Sequence, residues 1–262
     1  MWLWAGFIVL VLVVLAIDLG VLNRKAHVVS IREALIFTVG LFVLAMGFNV
    51  LVYFLYANQW VGLGTQVDKI DGVANTGVLA AVKFFTGYMV EIWLSADSVV
   101  VMAMIFHSLR VPPKYQHRVL FWGILGALVM RGAMILVGAR LIARYHWLLY
   151  LFGAFLVFTA YRMLVAKEDD GNIEDGLVVR WVRKVFPVTP AYHEQRFSIL
   201  QDGRRMLTPL AVALILVETT DLIFAVDSIP AIFAITTDPF IVFTSNVFAI
   251  LGLRSLYFAL AG

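Results

Sequence analysis

Seven stretches of this sequence, near residues 2–22, 33–57, 77–106, 119–140, 147–165, 207–235 and 240–261, are apolar over about 20 residues or more. That is the length a helix needs to cross the ~30 Å hydrocarbon core of a bilayer. Hydrocarbon offers no hydrogen bonds, so a chain crossing it repeatedly must satisfy its own backbone, and it does so as helices. Composition points the same way: 62% of residues are apolar and 14% charged, where a soluble domain carries about 25% charged residues to cover its surface. The expected fold is all-α, a polytopic membrane helical bundle with seven transmembrane helices in this chain. The first stretch is too long for a signal peptide and no basic region precedes it, so it reads as a retained span.

The 20 Lys and Arg residues sort by side. Lys83, Arg131, Arg162 and Arg254 lie within spans. The connections after spans one, three and five hold Arg24, Lys25, Arg32, Arg110, Lys114, Arg118, Lys167, Arg180, Arg183, Lys184, Arg196, Arg204 and Arg205; the alternate ones hold Lys69, Arg140 and Arg144. The positive-inside rule then puts the N-terminus outside and the three basic connections in the cytoplasm. The longest, 166–206, reads mostly as loop, with a short basic helix over 177–186 lying on the inner leaflet. Four segments follow: 1–76, two spans and an outer loop; 77–165, a first repeat; 166–206, the cytoplasmic loop; and 207–262, a second repeat that lacks its third helix, all within one membrane domain over 1–262. There is no Cys, so thiol redox chemistry, disulfides and Cys metal sites are excluded. Nothing suggests a nucleic-acid partner; the partner is the bilayer.

Acids inside the spans carry the chemistry. A charge at mid-membrane costs about 2.5–3.5 kcal/mol, yet the third span carries Glu91 and Asp97, and the sixth carries Glu218, Asp221 and Asp227. Unpaired and ionised, the five would cost on the order of 12 to 17 kcal/mol, so a cation must sit among them. Glu91 to Val99 (EIWLSADSV) and Asp221 to Ile229 (DLIFAVDSI) share one pattern: an acid, five residues, Asp, Ser and a β-branched residue. The motif helices are the third and the sixth spans, an odd offset of three that makes the two cross in opposite directions, the signature of an inverted-topology repeat with a midplane site. A spacing of six turns side chains by about 120° on an ideal helix. Convergence therefore needs shared packing faces or local unwinding, which Pro230 favours by freeing the carbonyl of Val226. Carboxylates with Ser98, Ser228, Thr219, Thr220, Asn246 and that carbonyl form an all-oxygen set suited to Mn²⁺, Mg²⁺ or Ca²⁺ as cargo, with no cofactor. Asp18 is a further candidate near the inner end of the first span. Arg131, at mid-span, and Lys83 are the expected charge-neutralising bases. A structural reading stands beside this one, with the charges an internal salt-bridge network in a stress-response membrane protein that transports nothing. An intramembrane aspartyl enzyme is disfavoured by the lack of a GxGD-type element, so the chain is not expected to be an enzyme.

The stretch 218–258, ETTDLIFAVDSIPAIFAITTDPFIVFTSNVFAILGLRSLYF, together with EIWLSADSV at 91–99, closely resembles the TerC family of membrane proteins, and its Alx-like members above all. The resemblance implies a bacterial inner-membrane exporter of Mn²⁺, with about nine helices in the full family architecture. It carries the ion-site acids onto Glu91, Asp97, Glu218, Asp221 and Asp227.

Overall fold

A computed structural model of the chain describes residues 2–17, 31–145, 147–165, 184–193, 196–201 and 204–261. Asp18, the Arg24 and Lys25 pair, and residues 177–183 of the expected basic helix lie outside the described residues. Seven α-helices overlie the seven apolar stretches: α1 (Trp2–Ile17), α2 (Ile31–Ala57), α3 (Gly77–Ser108), α4 (Pro113–Arg144), α5 (Leu148–Val165), α6 (Pro209–Phe233) and α7 (Pro239–Ala261). By length and apolarity α2, α3, α4 and α6 can each cross a membrane, while α1, α5 and α7 contain shorter apolar segments.

Local chemistry sets where the helices begin. The Thr76 hydroxyl accepts from the Leu79 N–H at 3.3 Å and caps α3. Pro113 and Pro209 sit in the first turns of α4 and α6, where a missing N–H costs nothing. The Asp238 carboxylate accepts from the N–H groups of Phe240 and Ile241 at 3.0 and 3.4 Å and so caps α7.

At the centre, α7 packs against α2, α3 and α4; α6 lies against α3 and α4, and α5 against α6. Where α1, α2, α3 and α7 meet, aromatic rings interlock: Phe48 lies 4.9 Å from Phe248 and 5.6 Å from Phe84, and Phe7 lies 5.3 Å from Phe48. Such ring pairs supply the close packing that must replace hydrophobic burial between helices already in lipid. Other faces present Ile36, Val39 and Val43 of α2, Val129 and Val137 of α4, and Val157 and Phe158 of α5 outward, as helices bordered by lipid do.

Two points differ from the sequence reading. The 166–206 connection, read as mostly loop with a short basic helix, also carries strand structure in an otherwise helical fold: Ser198–Gln201 (β1) pairs antiparallel with Arg204–Leu207 (β2). The register, Gln201 opposite Arg204, leaves a two-residue connection, Asp202-Gly203, a dipeptide strongly preferred in tight hairpin turns. Its base is bonded to the segment that precedes it, and that segment to α3: Leu207 N–H donates to the Pro187 carbonyl at 2.9 Å, Thr208 Oγ1 donates to the Arg196 carbonyl at 2.7 Å, and the Tyr192 hydroxyl donates to the Leu109 carbonyl just past the end of α3 at 2.6 Å. The second change is at Pro230. Helix α6 continues through it to Phe233, so the expected unwinding beside Asp227 does not occur; a single lost hydrogen bond is tolerated where neighbouring helices hold the segment.

Candidate functional site

Four helices bring polar groups into the middle of the bundle. Glu91 of α3, Arg131 of α4 and Asp221 of α6 are 1%, 1% and 3% exposed, and Asn246 of α7 is fully buried. The Arg131 guanidinium bridges the two acids. Its Nη1 contacts Glu91 Oε1, while Nη2 and Nε donate to Asp221 Oδ1 and Oδ2 at 3.0 and 3.3 Å. Nη1 also lies 3.4 Å from Ser228 Oγ and 3.3 Å from Asn246 Oδ1. Asn246 Nδ2 donates to Glu91 Oε2 at 3.0 Å, and Ser95 Oγ donates to Glu91 Oε1 at 3.1 Å. A planar fork of five N–H groups is the side chain best able to hold two carboxylates from two helices at once.

The two motifs bury the same positions. Glu91 and Asp221, Ser95 and Ala225, Ser98 and Ser228, and Val99 and Ile229 are all buried, whereas Asp97 is exposed and Asp227 half-buried. The five acids therefore do not converge, contrary to expectation. Because α3 and α6 stay regular, the six-residue spacing carries Asp97 and Asp227 about a third of a turn away from Glu91 and Asp221. Among the described residues no three acids or histidines are grouped closely enough to hold a metal ion. Thr219 is also otherwise engaged, its hydroxyl donating to the Ile215 carbonyl one turn earlier at 2.7 Å. Thr220 is half-buried, and Val226 turns its side chain to the exposed face of α6.

Glu218, one turn before Asp221, is half-buried and lies against Gly126 of α4, where an added Cβ would overlap the carboxylate. Its Oε2 and the Ser98 hydroxyl are buried without a hydrogen-bond partner. A buried oxygen in that condition costs about 1–3 kcal/mol unless a guest satisfies it. Beside Asp221 a cavity of about 20 Å³, lined by Met102, Leu120, Gly123, Val217 and Leu253 among others, is roughly large enough for one water.

Lys83 does not serve these acids. It lies six residues into α3, about 9 Å along the helix, and reaches back to the 58–76 connection, where its Nζ meets Asp68 Oδ2 at 2.8 Å, Asp71 Oδ2 at 2.7 Å and Asn75 Oδ1 at 2.7 Å. Sequence reasoning missed this second network, although a base so near a helix start and two acids in the adjoining loop were its signal. The buried Asp68 also accepts from the Thr236 hydroxyl and from the Thr237 N–H at 3.1 Å. Burial alone would push the Asp68 carboxyl up, but the hydrogen bonds from Lys83, Thr236 and the Ile70 and Thr237 amides outweigh it and hold the group well below the usual carboxylate range. The loop is shaped to fit: Gly64 has φ +72°, and a Cβ there would stand 2.6 Å from the Asn75 carbonyl. A cavity of about 340 Å³ opens at this end, lined by Trp4, Asp68, Lys69, Thr237 and Asp238 among others.

Comparison with known proteins agrees with a membrane origin. A membrane protein of Myxococcus xanthus, STKORF319, is 47% identical over 260 residues, 99% of this chain and 75% of that protein. The Alx proteins of Salmonella typhi and Escherichia coli (strain K12), named as membrane-bound redox modulators, are each 46% identical over 261 residues, 99% of this chain and 77% and 78% of theirs. No solved structure matches. Residues 76–262 match the integral membrane protein TerC family. With its apolar helices and this match over both motifs, the chain is a multi-pass membrane protein and belongs to the TerC family.

Proposed function

We propose that the chain is a secondary transporter, not an enzyme, which exports divalent manganese across the bacterial inner membrane, with its N-terminus outside and the two motif helices forming an inverted repeat about the site. The observation that carries this reading is the pairing of Glu91 and Asp221, the same position in two copies of one motif, in the helix core, with the buried and partnerless Glu218 Oε2 one turn before Asp221 on α6. Three carboxylates against one guanidinium leave a formal charge of −2, which a divalent cation balances. All donors are oxygens, as hard cations require. The choice of Mn²⁺ over Mg²⁺ or Ca²⁺ rests on the resemblance noted above. Asp97 and Asp227 would join the path only after the helices rotate, and protons would replace the ion on release.

A second reading, a structural or stress-response membrane protein with an internal salt-bridge network, is favoured by the completeness of the Arg131 bridge. Relatives carry a name that speaks of redox modulation; with no Cys in this chain, such an effect would come through its cargo rather than through thiols. Proteoliposomes separate the two. Transport predicts Mn²⁺ flux that Glu218→Gln abolishes while the protein still inserts and melts as before. Absence of flux of Mn²⁺, Mg²⁺ and Ca²⁺ in the unaltered protein would leave the structural reading.

A further inference from the structure

We propose that Arg131 is a tethered stand-in for the cargo, occupying the space between Glu91 and Asp221 when no ion is bound and yielding it when one arrives. This rests on the reading of the helix core as a divalent-cation site. The guanidinium makes hydrogen bonds or ion pairs to Glu91, Asp221, Ser228 and Asn246, groups supplied by three helices other than its own. Two carboxylates left uncovered in hydrocarbon would each cost several kcal/mol, so a core that empties on every cycle needs a charge to cover them. A metal ion bound by both acids must sit where the guanidinium now lies. The ion and Arg131 therefore compete for the same oxygens.

The consequences are specific. Competition weakens apparent affinity, and a transport site must bind its ion loosely enough to let it go. It also makes release active in effect, since Arg131 returns to the acids as the ion departs. Glu218 Oε2, partnerless one turn before Asp221 on α6, is an oxygen that Arg131 does not occupy, so an entering ion can gain a first foothold there.

The test is Mn²⁺ binding to the full chain in lipid nanodiscs, by calorimetry and by thermal melting with and without Mn²⁺, for the unaltered protein, Arg131→Gln and Arg131→Lys. Removing the competitor should tighten Mn²⁺ binding by roughly tenfold or more. Arg131→Gln should melt lower than the unaltered protein without Mn²⁺, recover in its presence, and lose efflux because the ion is held. Arg131→Lys, which keeps the charge but spans one carboxylate rather than two, should fall between; it also decides the matter if Arg131→Gln does not fold. If the unaltered protein binds Mn²⁺ and the folded variants bind it equally or more weakly, Arg131 is a fixed strut and the proposal is overturned while the cation site stands. If neither the unaltered protein nor either variant binds Mn²⁺, the cation reading itself falls, and this inference with it.

Discussion

Lys83→Met strands a fully buried carboxylate, Asp68, outside the helix core. The Asp68 side chain is fully buried and that of Lys83 is 9% exposed, with Nζ 2.8 Å from Oδ2. Breaking a buried pair by removing one partner costs about 3–5 kcal/mol, because the remaining charge is left in a poor solvent. The bond to Asp71 adds little, since that side chain is 32% exposed and its loss is softened by water. At roughly 2–4 °C per kcal/mol for a chain of this size, the melting temperature should fall by roughly 6–20 °C. Pairing Lys83→Met with Asp68→Asn should recover more than half of that loss, because Asn keeps an oxygen to accept from Thr236 and Thr237 and carries no charge. The assay is tryptophan-fluorescence melting in detergent for the unaltered protein, both single variants and the double. A loss below about 1 kcal/mol for Lys83→Met, or additive losses in the double variant, would refute the view that a buried charge pair anchors this loop.

Three further outcomes follow from the same geometry. The Asp68 carboxyl titrates below its unfolded value of about 3.9, so its contribution is complete above about pH 4 and is lost as the pH falls through the folded value; acid melting of Asp68→Asn should lack that component. Gly126→Ala places a methyl where the Glu218 carboxylate lies; that carboxylate ends a flexible, half-buried side chain and can swing aside, so the loss in a melting experiment should stay below about 1 kcal/mol. Glu91→Gln leaves Arg131 paired with Asp221 and strands no charge, so it should cost about 1–3 kcal/mol, the worth of a hydrogen bond to a charged group; Asp97→Asn, on an exposed face, should stay within about 0.5 kcal/mol, both read from melting temperatures.

Much of the helical layout was legible because runs of about 20 apolar residues admit little else; hydropathy alone misses the starts, as at Pro113, which opens α4 ahead of the apolar run at 119. The repeat was legible as a pattern of residues, and its structural meaning is a pattern of burial: the first acid of each motif faces in and the second faces away. What could not be read was which acids meet. Six-residue spacing allows either a bent helix or a divided set, and the choice depends on neighbouring helices tolerating Pro230, a property of packing and not of any local segment. Arg131 was recognisable as a mid-span base, but its bond to both motifs at once depends on the mutual placement of three helices. Lys83 was assigned to the wrong acids because membership of an apolar stretch says nothing about the direction in which a long side chain leans. The hairpin was overlooked although Asp202-Gly203 announces it, because two short strands make little impression beside the hydropathy of the spans.

The hairpin sits where mechanics matter. Strand β2 ends at Leu207 and α6 begins at Pro209, leaving only Thr208 between them, and the segment bonded to Leu207 through Pro187 and Thr189 is itself moored by Tyr192 to the end of α3. Any sliding or turning of α6 must be taken up at that single residue or drag the ladder with it. The helix bearing Asp221 is thus on a short leash to the one bearing Glu91.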